Sequence, residues 1–327
     1  MKAIVLSEVG GSDHLHLEEV AMPSLKPGQI LIEMKAAPIN FIDTVIREGN
    51  MPPGMMPSLP FIPGVEGSGV VYDPNDSGLV KGQPVAFIGI IGASTYAQYV
   101  AIDANRVVAL PDAVNVVEAG AMPVTYFTAY HMLHNVVRAE SNKVALVYAA
   151  TGGVGTALIQ LGKAAGITMI ALDRGQEKVQ TALANGADFA FDSTQPWLNE
   201  VKAITSGRGV NYIFNPVAGD TIVQDLEVLA KLGHIVIFGF LAGVGTTNLQ
   251  AEAAKYFAKS PTITFSELYA TYTTNYPLVD SSLRAIYQLL LQGKIKPIYS
   301  TMALAQVSEA QDLLESGGVT GKMVLIP

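Results

Sequence analysis

The chain has 327 residues, with 20 Lys and Arg against 28 Asp and Glu (net charge −8), half its residues apolar and no cysteine. This balance excludes whole-chain disorder, and at roughly 100–200 residues per domain the length suggests two domains. No window carries the cluster of about five basic residues that a nucleic-acid footprint needs, and no apolar run approaches the roughly 20 residues of a membrane-spanning helix. Without cysteine, disulfides, thiolate nucleophiles and Cys-based zinc sites are impossible.

Met1 to Ser7 reads as a first strand, because its apolar stretch is too short for a signal-peptide centre, so a cytoplasmic location is expected. The first hundred residues read as irregular β structure, with strand-like runs at Ala3 to Leu6, His14 to Val20, Ile30 to Ala36, Val70 to Tyr72, Val85 to Ile88 and Tyr96 to Ile102. Turn formers punctuate them at Pro27-Gly28, Pro52-Pro53-Gly54, Pro63-Gly64, Asp73-Pro74-Asn75 and Lys81-Gly82. The Pro- and Met-rich segment from Met51 to Pro60 reads as a loop over a cleft. His14 and His16 share one face of the second run, and His131 and His134 have helical spacing. Packing or surface histidines are commoner than ligands, and no metal is assigned.

From about Glu118 helices alternate with strands. Strand Val144 to Ala149 precedes a helix with Val154, Leu158, Leu161 and Ala165 on one face, then strand Thr168 to Leu172. The rhythm continues through helix Glu177 to Ala184, strand Phe189 to Phe191, helix Trp197 to Ser206 and strand Tyr212 to Phe214. Helix Thr221 to Leu232 follows, then strands His234 to Phe238 and Ile263 to Phe265. This is the pattern of an α/β, doubly wound parallel sheet of the Rossmann type. The remaining stretch, with helices Val279 to Gln292 and Val307 to Ser316 and strand Lys322 to Ile326, reads as completing the first domain. The nucleotide domain is then an insertion.

The strongest chemical signal is Ala149-Ala150-Thr151-Gly152-Gly153-Val154-Gly155, which ends a strand and opens a helix. Small residues at Ala150 and Gly152 allow a tight turn and close approach to a pyrophosphate, and Gly155 allows close helix–strand packing. The helix N-terminus offers N–H groups and positive dipole potential. Asp173, 21 residues beyond Gly152, lies where a carboxylate receives the adenosine ribose hydroxyls. That carboxylate favours NAD, whereas Arg174 and Lys178 could neutralise a 2′-phosphate, so cofactor preference stays open.

Several segments together carry a family resemblance. They include Met1-Lys2-Ala3-Ile4, Pro27-Gly28-Gln29-Ile30, Ile39-Asn40-Phe41-Ile42-Asp43, and Pro63-Gly64-Val65-Glu66-Gly67-Ser68-Gly69. Further on come Tyr96-Ala97-Gln98-Tyr99, Thr128-Ala129-Tyr130, the Gly-rich loop, Gly186-Ala187-Asp188 and Gly321-Lys322-Met323-Val324-Leu325. In order and spacing they resemble the zinc-independent branch of the medium-chain dehydrogenase/reductase superfamily, the quinone oxidoreductase or zeta-crystallin group.

The resemblance implies a GroES-like, mainly β substrate domain from residues 1–120 and 266–327, with the Rossmann domain at 121–265 inserted in it. It implies NAD(P)H as cofactor, no zinc, and a quinone or similar activated alkene as small-molecule acceptor, with a homodimer or homotetramer joined through the sheet edge around Val236 to Phe240 and Ile263 to Phe265. Zinc-dependent relatives carry ligands near Phe41, Val65 and the start of the Thr125 to Tyr130 segment, where this chain has none. Asn40 and Asp43 are implied at the nicotinamide end of the cleft, Asn40 as a donor to an acceptor oxygen that gains charge. The same residue types also suit a helix N-cap. Thr128, Asn215, Phe238 and Gly239 are implied to line the cofactor. Tyr126 is a candidate proton donor or a packing residue. Departures include Val45, Met51 and Asp192, where bacterial members commonly carry tyrosine. Rival readings are an enoyl-thioester or enone reductase on this scaffold, and a non-catalytic, crystallin-like nucleotide-binding protein.

Overall fold

The computed structural model describes residues 1–52 and 54–327. Pro53, in the expected Pro52-Pro53-Gly54 turn, lies outside the described residues.

The chain begins with strands β1 (Lys2–Leu6), β2 (Leu15–Glu19) and β3 (Gln29–Pro38), helix α1 (Phe41–Arg47), and strands β4 (Glu66–Asp73), β5 (Pro84–Ile88), β6 (Tyr99–Asp103) and β7 (Val107–Ala109). Helices α2 (Val116–Gly120) and α3 (Pro123–Tyr130) follow, and α3 runs on into a π-helical turn at His131–Val136. Next come β8 (Val144–Tyr148), α4 (Gly153–Ala164), β9 (Thr168–Asp173), α5 (Gln176–Ala184), β10 (Phe189–Asp192), α6 (Leu198–Ile204), β11 (Val210–Asn215), α7 (Ile222–Val228) and β12 (Leu229–Ile237). Then α8 (Leu249–Lys255), β13 (Thr262–Phe265), α9 (Leu268–Thr274), α10 (Tyr276–Leu291), β14 (Tyr299–Ala303), α11 (Val307–Glu315) and β15 (Lys322–Ile326) end the chain.

Two compact units result: residues 1–127, 276–293 and 297–327, and residues 128–275 with 294–296. Their limits fall at 127/128 and 275/276, against the 120/121 and 265/266 that the resemblance implied. Hydrogen bonds explain the offset: within the first unit the Val124 N–H reaches Glu66 and the Tyr287 hydroxyl reaches the Ala119 carbonyl, while the Thr271 hydroxyl meets His131 within the second.

In the first unit, among the described residues, the main sheet runs β14-β15-β3-β4-β5-β7, with β6 also on β3. The long strand β3 is the hub, pairing antiparallel with β4, β6 and β15. Its apolar residues Ile30, Ile32 and Met34 join Ile4, Leu6, Phe87 and Leu325 in one buried cluster, and that burial, at about 25 cal/mol per Å² of apolar surface, drives the packing.

In the second unit the strands among the described residues run β10-β9-β8-β11-β12-β13, and every pairing is parallel. Strand order reverses between β8 and β11, the topological switch point beside which open α/β sheets bind ligands. Leu146, Ile170, Ile213 and Ile235 are fully buried, as expected for a sheet covered on both faces.

Some expectations need correction. Helix α7 stops at Val228, not Leu232, because Leu229 already pairs with Val210 in the sheet. His14 closes a 3₁₀ turn at Ser12–His14 while His16 lies in β2, so the pair does not share a strand face. Strands β7 and β14 were not anticipated: β7 is only three residues long, and Tyr299-Ser300-Thr301-Met302-Ala303 lacks apolar alternation. No helix among the described residues is long and apolar enough to cross a membrane.

Candidate dinucleotide site and a buried polar cluster

The Gly-rich turn leaves the carboxyl end of β8 at the switch point and enters α4. Ala149 adopts a left-handed φ of 48°, and the Gly152 N–H closes the turn on its carbonyl at 3.0 Å. A Cβ on Gly155 would lie 2.3 Å from the Ala149 carbonyl oxygen and 2.7 Å from the Ala150 Cα, so helix and strand meet at a contact only glycine permits. Ala150, Thr151 and Gly155 are buried, whereas Gly152, Gly153 and Val154 stay partly accessible. The first-turn N–H groups have no intrahelical partner, the ordinary basis of anion binding at a helix start.

Asp173 ends β9 and is turned onto this loop. Its Oδ2 accepts from the Thr151 N–H (2.8 Å) and hydroxyl (2.7 Å), and its Oδ1 accepts from the Arg174 N–H (2.8 Å), with Lys178 Nζ 3.9 Å away. At 7% exposure the carboxylate braces the turn, and most of its capacity is spent before any ribose arrives. It also occupies the Thr151 N–H, removing that donor from a phosphate. Asp192 pairs in register with Asp173 on β10, and N–H groups of Gly175 and Thr194 hold its carboxyl below the usual range. Arg174 is exposed.

Asn215 ends β11 across the switch point, and its amide is fully committed. Its Oδ1 accepts from the Val217 (2.9 Å) and Ala218 (3.0 Å) N–H groups, while its Nδ2 donates to Thr221 (2.8 Å) and to Asp225 (2.7 Å). Tyr148, the last residue of β8, donates to the other Asp225 oxygen at 2.7 Å. Burial pushes the Asp225 carboxyl up to about 7 against these two bonds. Asn215 therefore ties together the strand ends flanking the switch point, and it has no donor left for a ligand. Phe238 and Gly239 follow β12 and are partly accessible, with Gly239 packed on Pro216. Thr128, in α3, is also partly accessible.

The first unit holds a second cluster, largely absent from the sequence reading. Ile39 N–H donates to the Met323 carbonyl at 2.9 Å, which sets Asn40 beside Lys322. Pairing of β3 with β4 then brings Glu66 alongside. The Asn40 Nδ2 donates to Glu66 Oε1 (2.8 Å), Lys322 Nζ donates to Asn40 Oδ1 and lies 2.8 Å from Glu66 Oε1, and the Val124 N–H donates to Glu66 Oε2 (2.7 Å). Glu66 is 0% and Lys322 4% exposed, so deleting one member would strand a buried charge at a cost of about 3–5 kcal/mol.

Asp43 reaches back to the Asn40 N–H (2.8 Å) and accepts the Tyr96 hydroxyl (2.8 Å). This is the carboxylate half of a capping box; the Asn40 side chain itself turns to Glu66 and Lys322, not to the helix. Burial raises Asp43 to about 6, opposed by the Asn40 N–H, Tyr96 and the Lys322 charge. Tyr126 is 2% exposed and burial pushes its phenol far above the usual range, so it is a core side chain and not an open proton donor. Glu66, Lys322 and Tyr96 were legible only as motif letters. Lone charges opening apolar strands, as in Val65-Glu66-Gly67 and Lys322-Met323-Val324-Leu325, were the usable signal of a buried pair.

Parallel order, Gly-rich turn and switch point together define a nucleotide-binding α/β fold, and comparison narrows the class. Residues 26–112 match the alcohol dehydrogenase GroES-like domain family and residues 153–283 the zinc-binding dehydrogenase family. The human synaptic vesicle membrane protein VAT-1 homolog-like is 30% identical over 99% of this chain and 80% of its own length. Human quinone oxidoreductase is 28% identical, covering 100% and 98% respectively. The crystal structure of Escherichia coli quinone oxidoreductase complexed with NADPH superposes with a TM-score of 0.91, at 29% identity and full coverage of both chains. The chain belongs to the medium-chain dehydrogenase/reductase family, in its quinone oxidoreductase group, and is an oxidoreductase.

Proposed function

We propose that the chain uses NAD(P)H to reduce a quinone or a similar electron-poor small molecule without a metal ion. The carrying observation is the accessible Gly152-Gly153-Val154 turn at the switch point, backed by the Gly155 contact. The NADPH complex of the Escherichia coli relative supports the same cofactor class. Hydride passes from the dihydronicotinamide to the acceptor, one proton is taken up, and the products are the oxidised nucleotide and a hydroquinone. The protein's share is alignment, exclusion of water and a hydrogen bond to the oxygen that gains charge, which we assign to Asn40. The metal-free reading rests on the residue set: the chain has no cysteine, and neither Phe41 nor Val65 can ligate zinc.

Cofactor preference turns on charge. Asp173 is spent on the turn, leaving Asp192 on one side and Arg174 with the partly accessible Lys178 on the other as the charges a nucleotide would meet. Both nucleotides should bind, and parallel fluorescence titrations with NADH and NADPH measure the ratio. Oxidation of either by 1,4-benzoquinone, followed at the nicotinamide absorbance, tests the activity; no turnover with any quinone or enone would reject it.

We also propose a homodimer through the β13 edge. Phe240 and Phe265 stack there with centroids 6.2 Å apart and are 53% and 60% exposed, beside Leu241 at 50%. Exposed, contiguous apolar side chains at an unpaired sheet edge invite a partner. Phe265→Asp should give a monomer by analytical ultracentrifugation, and an unchanged sedimentation coefficient would place any interface elsewhere.

A further inference from the structure

We propose that the buried Glu66–Lys322 pair is a clamp that fixes the orientation of the Asn40 amide and leaves one Nδ2 hydrogen unspent as the donor to the acceptor oxygen. Glu66 and Lys322 are then positioning residues. The inference rests on the quinone-reductase reading for the donor's purpose, but not for the clamp itself.

The orientation follows from donor and acceptor types. An ammonium only donates and a carboxylate only accepts. Lys322 on Asn40 Oδ1 and Glu66 on Nδ2 therefore admit one amide orientation: a half-turn would set NH₂ against ammonium and oxygen against carboxylate. The three groups come from separate parts of the fold, the end of β3, the start of β4 and the start of β15, and the Val124 N–H holds the far oxygen of Glu66.

Stability alone is a poor reason for this arrangement. An apolar pair of similar volume commonly serves a core as well as a buried ion pair does or better. A hydrogen-bonded network with a preset geometry does something an apolar pair cannot: it presents a donor that needs no reorganisation when charge develops. Glu66 takes one of the two Nδ2 hydrogens, and Asn40 keeps 8% of its surface accessible. The ammonium on the amide oxygen also polarises the group and strengthens the remaining N–H as a donor.

The test is the Glu66→Gln/Lys322→Met double variant, which keeps volume and leaves neither charge unpaired, with Lys322→Arg as the conservative control. In protein labelled with ¹⁵N-asparagine, the wild-type Asn40 side-chain amide should show two resolved protons, the one bonded to Glu66 in slow exchange with water. The double variant should exchange at least tenfold faster. With 1,4-benzoquinone its kcat should fall at least tenfold while the NAD(P)H Kd stays within twofold, and Lys322→Arg should retain most of the turnover. If amide exchange and kcat are unchanged and only the melting temperature drops, the pair is merely structural and the proposal is overturned. Should the double variant not fold, the wild-type amide decides: an Asn40 Nδ2 proton that exchanges as fast as that of an exposed asparagine would overturn the clamp. Should the wild type reduce no acceptor, the quinone-reductase reading fails while amide exchange still decides the clamp.

Discussion

Gly155→Ala is expected to destabilise the second unit by about 1–3 kcal/mol and to weaken NAD(P)H binding at least tenfold. Alanine in a helix ordinarily gains up to about 1 kcal/mol over glycine, so propensity predicts the opposite sign. Steric contact decides. The new Cβ would sit 2.3 Å from the Ala149 carbonyl oxygen and 2.7–2.8 Å from Ala150 backbone atoms, none of which can swing aside as a side chain does. Relief requires moving α4 off β8, which opens the turn that presents Gly152 and Gly153. Gly162→Ala, in the same helix, is the contrast: its Cβ would meet the flexible Met169 side chain, so the cost should stay below about 1 kcal/mol. Urea unfolding with fluorescence titration of the nucleotide reads both effects. A Gly155→Ala protein with wild-type stability and affinity would show that the contact is not needed.

Thermal stability is expected to fall as pH rises from 5 to 9. Burial raises the carboxyls of Asp43 to about 6 and Asp225 to about 7 in the folded chain, from an ordinary value of 3.8. A group that holds its proton more tightly when folded contributes its full stabilisation below the unfolded value and loses it as pH passes through the folded one. The two together represent on the order of a few kcal/mol between pH 4 and pH 9. Asp192 and Asp220, held below the usual range, work in the opposite sense below about pH 4, and His131, His134 and His234, whose burial lowers their pKa, work in the opposite sense up to about pH 6.5, so the Asp225 contribution is read above that. Asp225→Asn removes the upper titration and keeps the shape, since the Tyr148 hydroxyl can turn from donor to acceptor. Its melting temperature should decline less steeply above pH 6 than that of the wild type. Parallel slopes for the two proteins, or a wild-type curve that rises toward pH 9, would exclude the assignment.

The two candidate sites differed in how legible they were. The phosphate turn is a local object: strand, small residues and helix lie within one short stretch, and the Gly155 packing role was readable from spacing alone. Asp173 was found by its offset, but its hydrogen bonds to Thr151 make it a brace more than a ribose receptor. Asn215 was placed at the right strand end, and only its four hydrogen bonds reveal that its amide is spent. Offset reports where along the chain a side chain leaves a strand, not which neighbour it has already satisfied.

By itself, then, the order of residues determined the alternation of strands and helices, the insertion of one unit in the other, the Gly-rich turn and the family. The alternation and the turn depend on periodicities and motifs within short windows, where backbone bonding and burial repeat every two or 3.6 residues, while the insertion and the family resemblance rested on the order and spacing of segments along the whole chain. Tertiary structure alone decided that Asn40, Glu66 and Lys322 form one polar group, because their meeting depends on strand register across separations of 26 and 282 residues. It also turned Asp43 and Asp225 into raised carboxyls and Tyr126 into core, since the free energy of a charge depends on how much water the finished fold leaves around it.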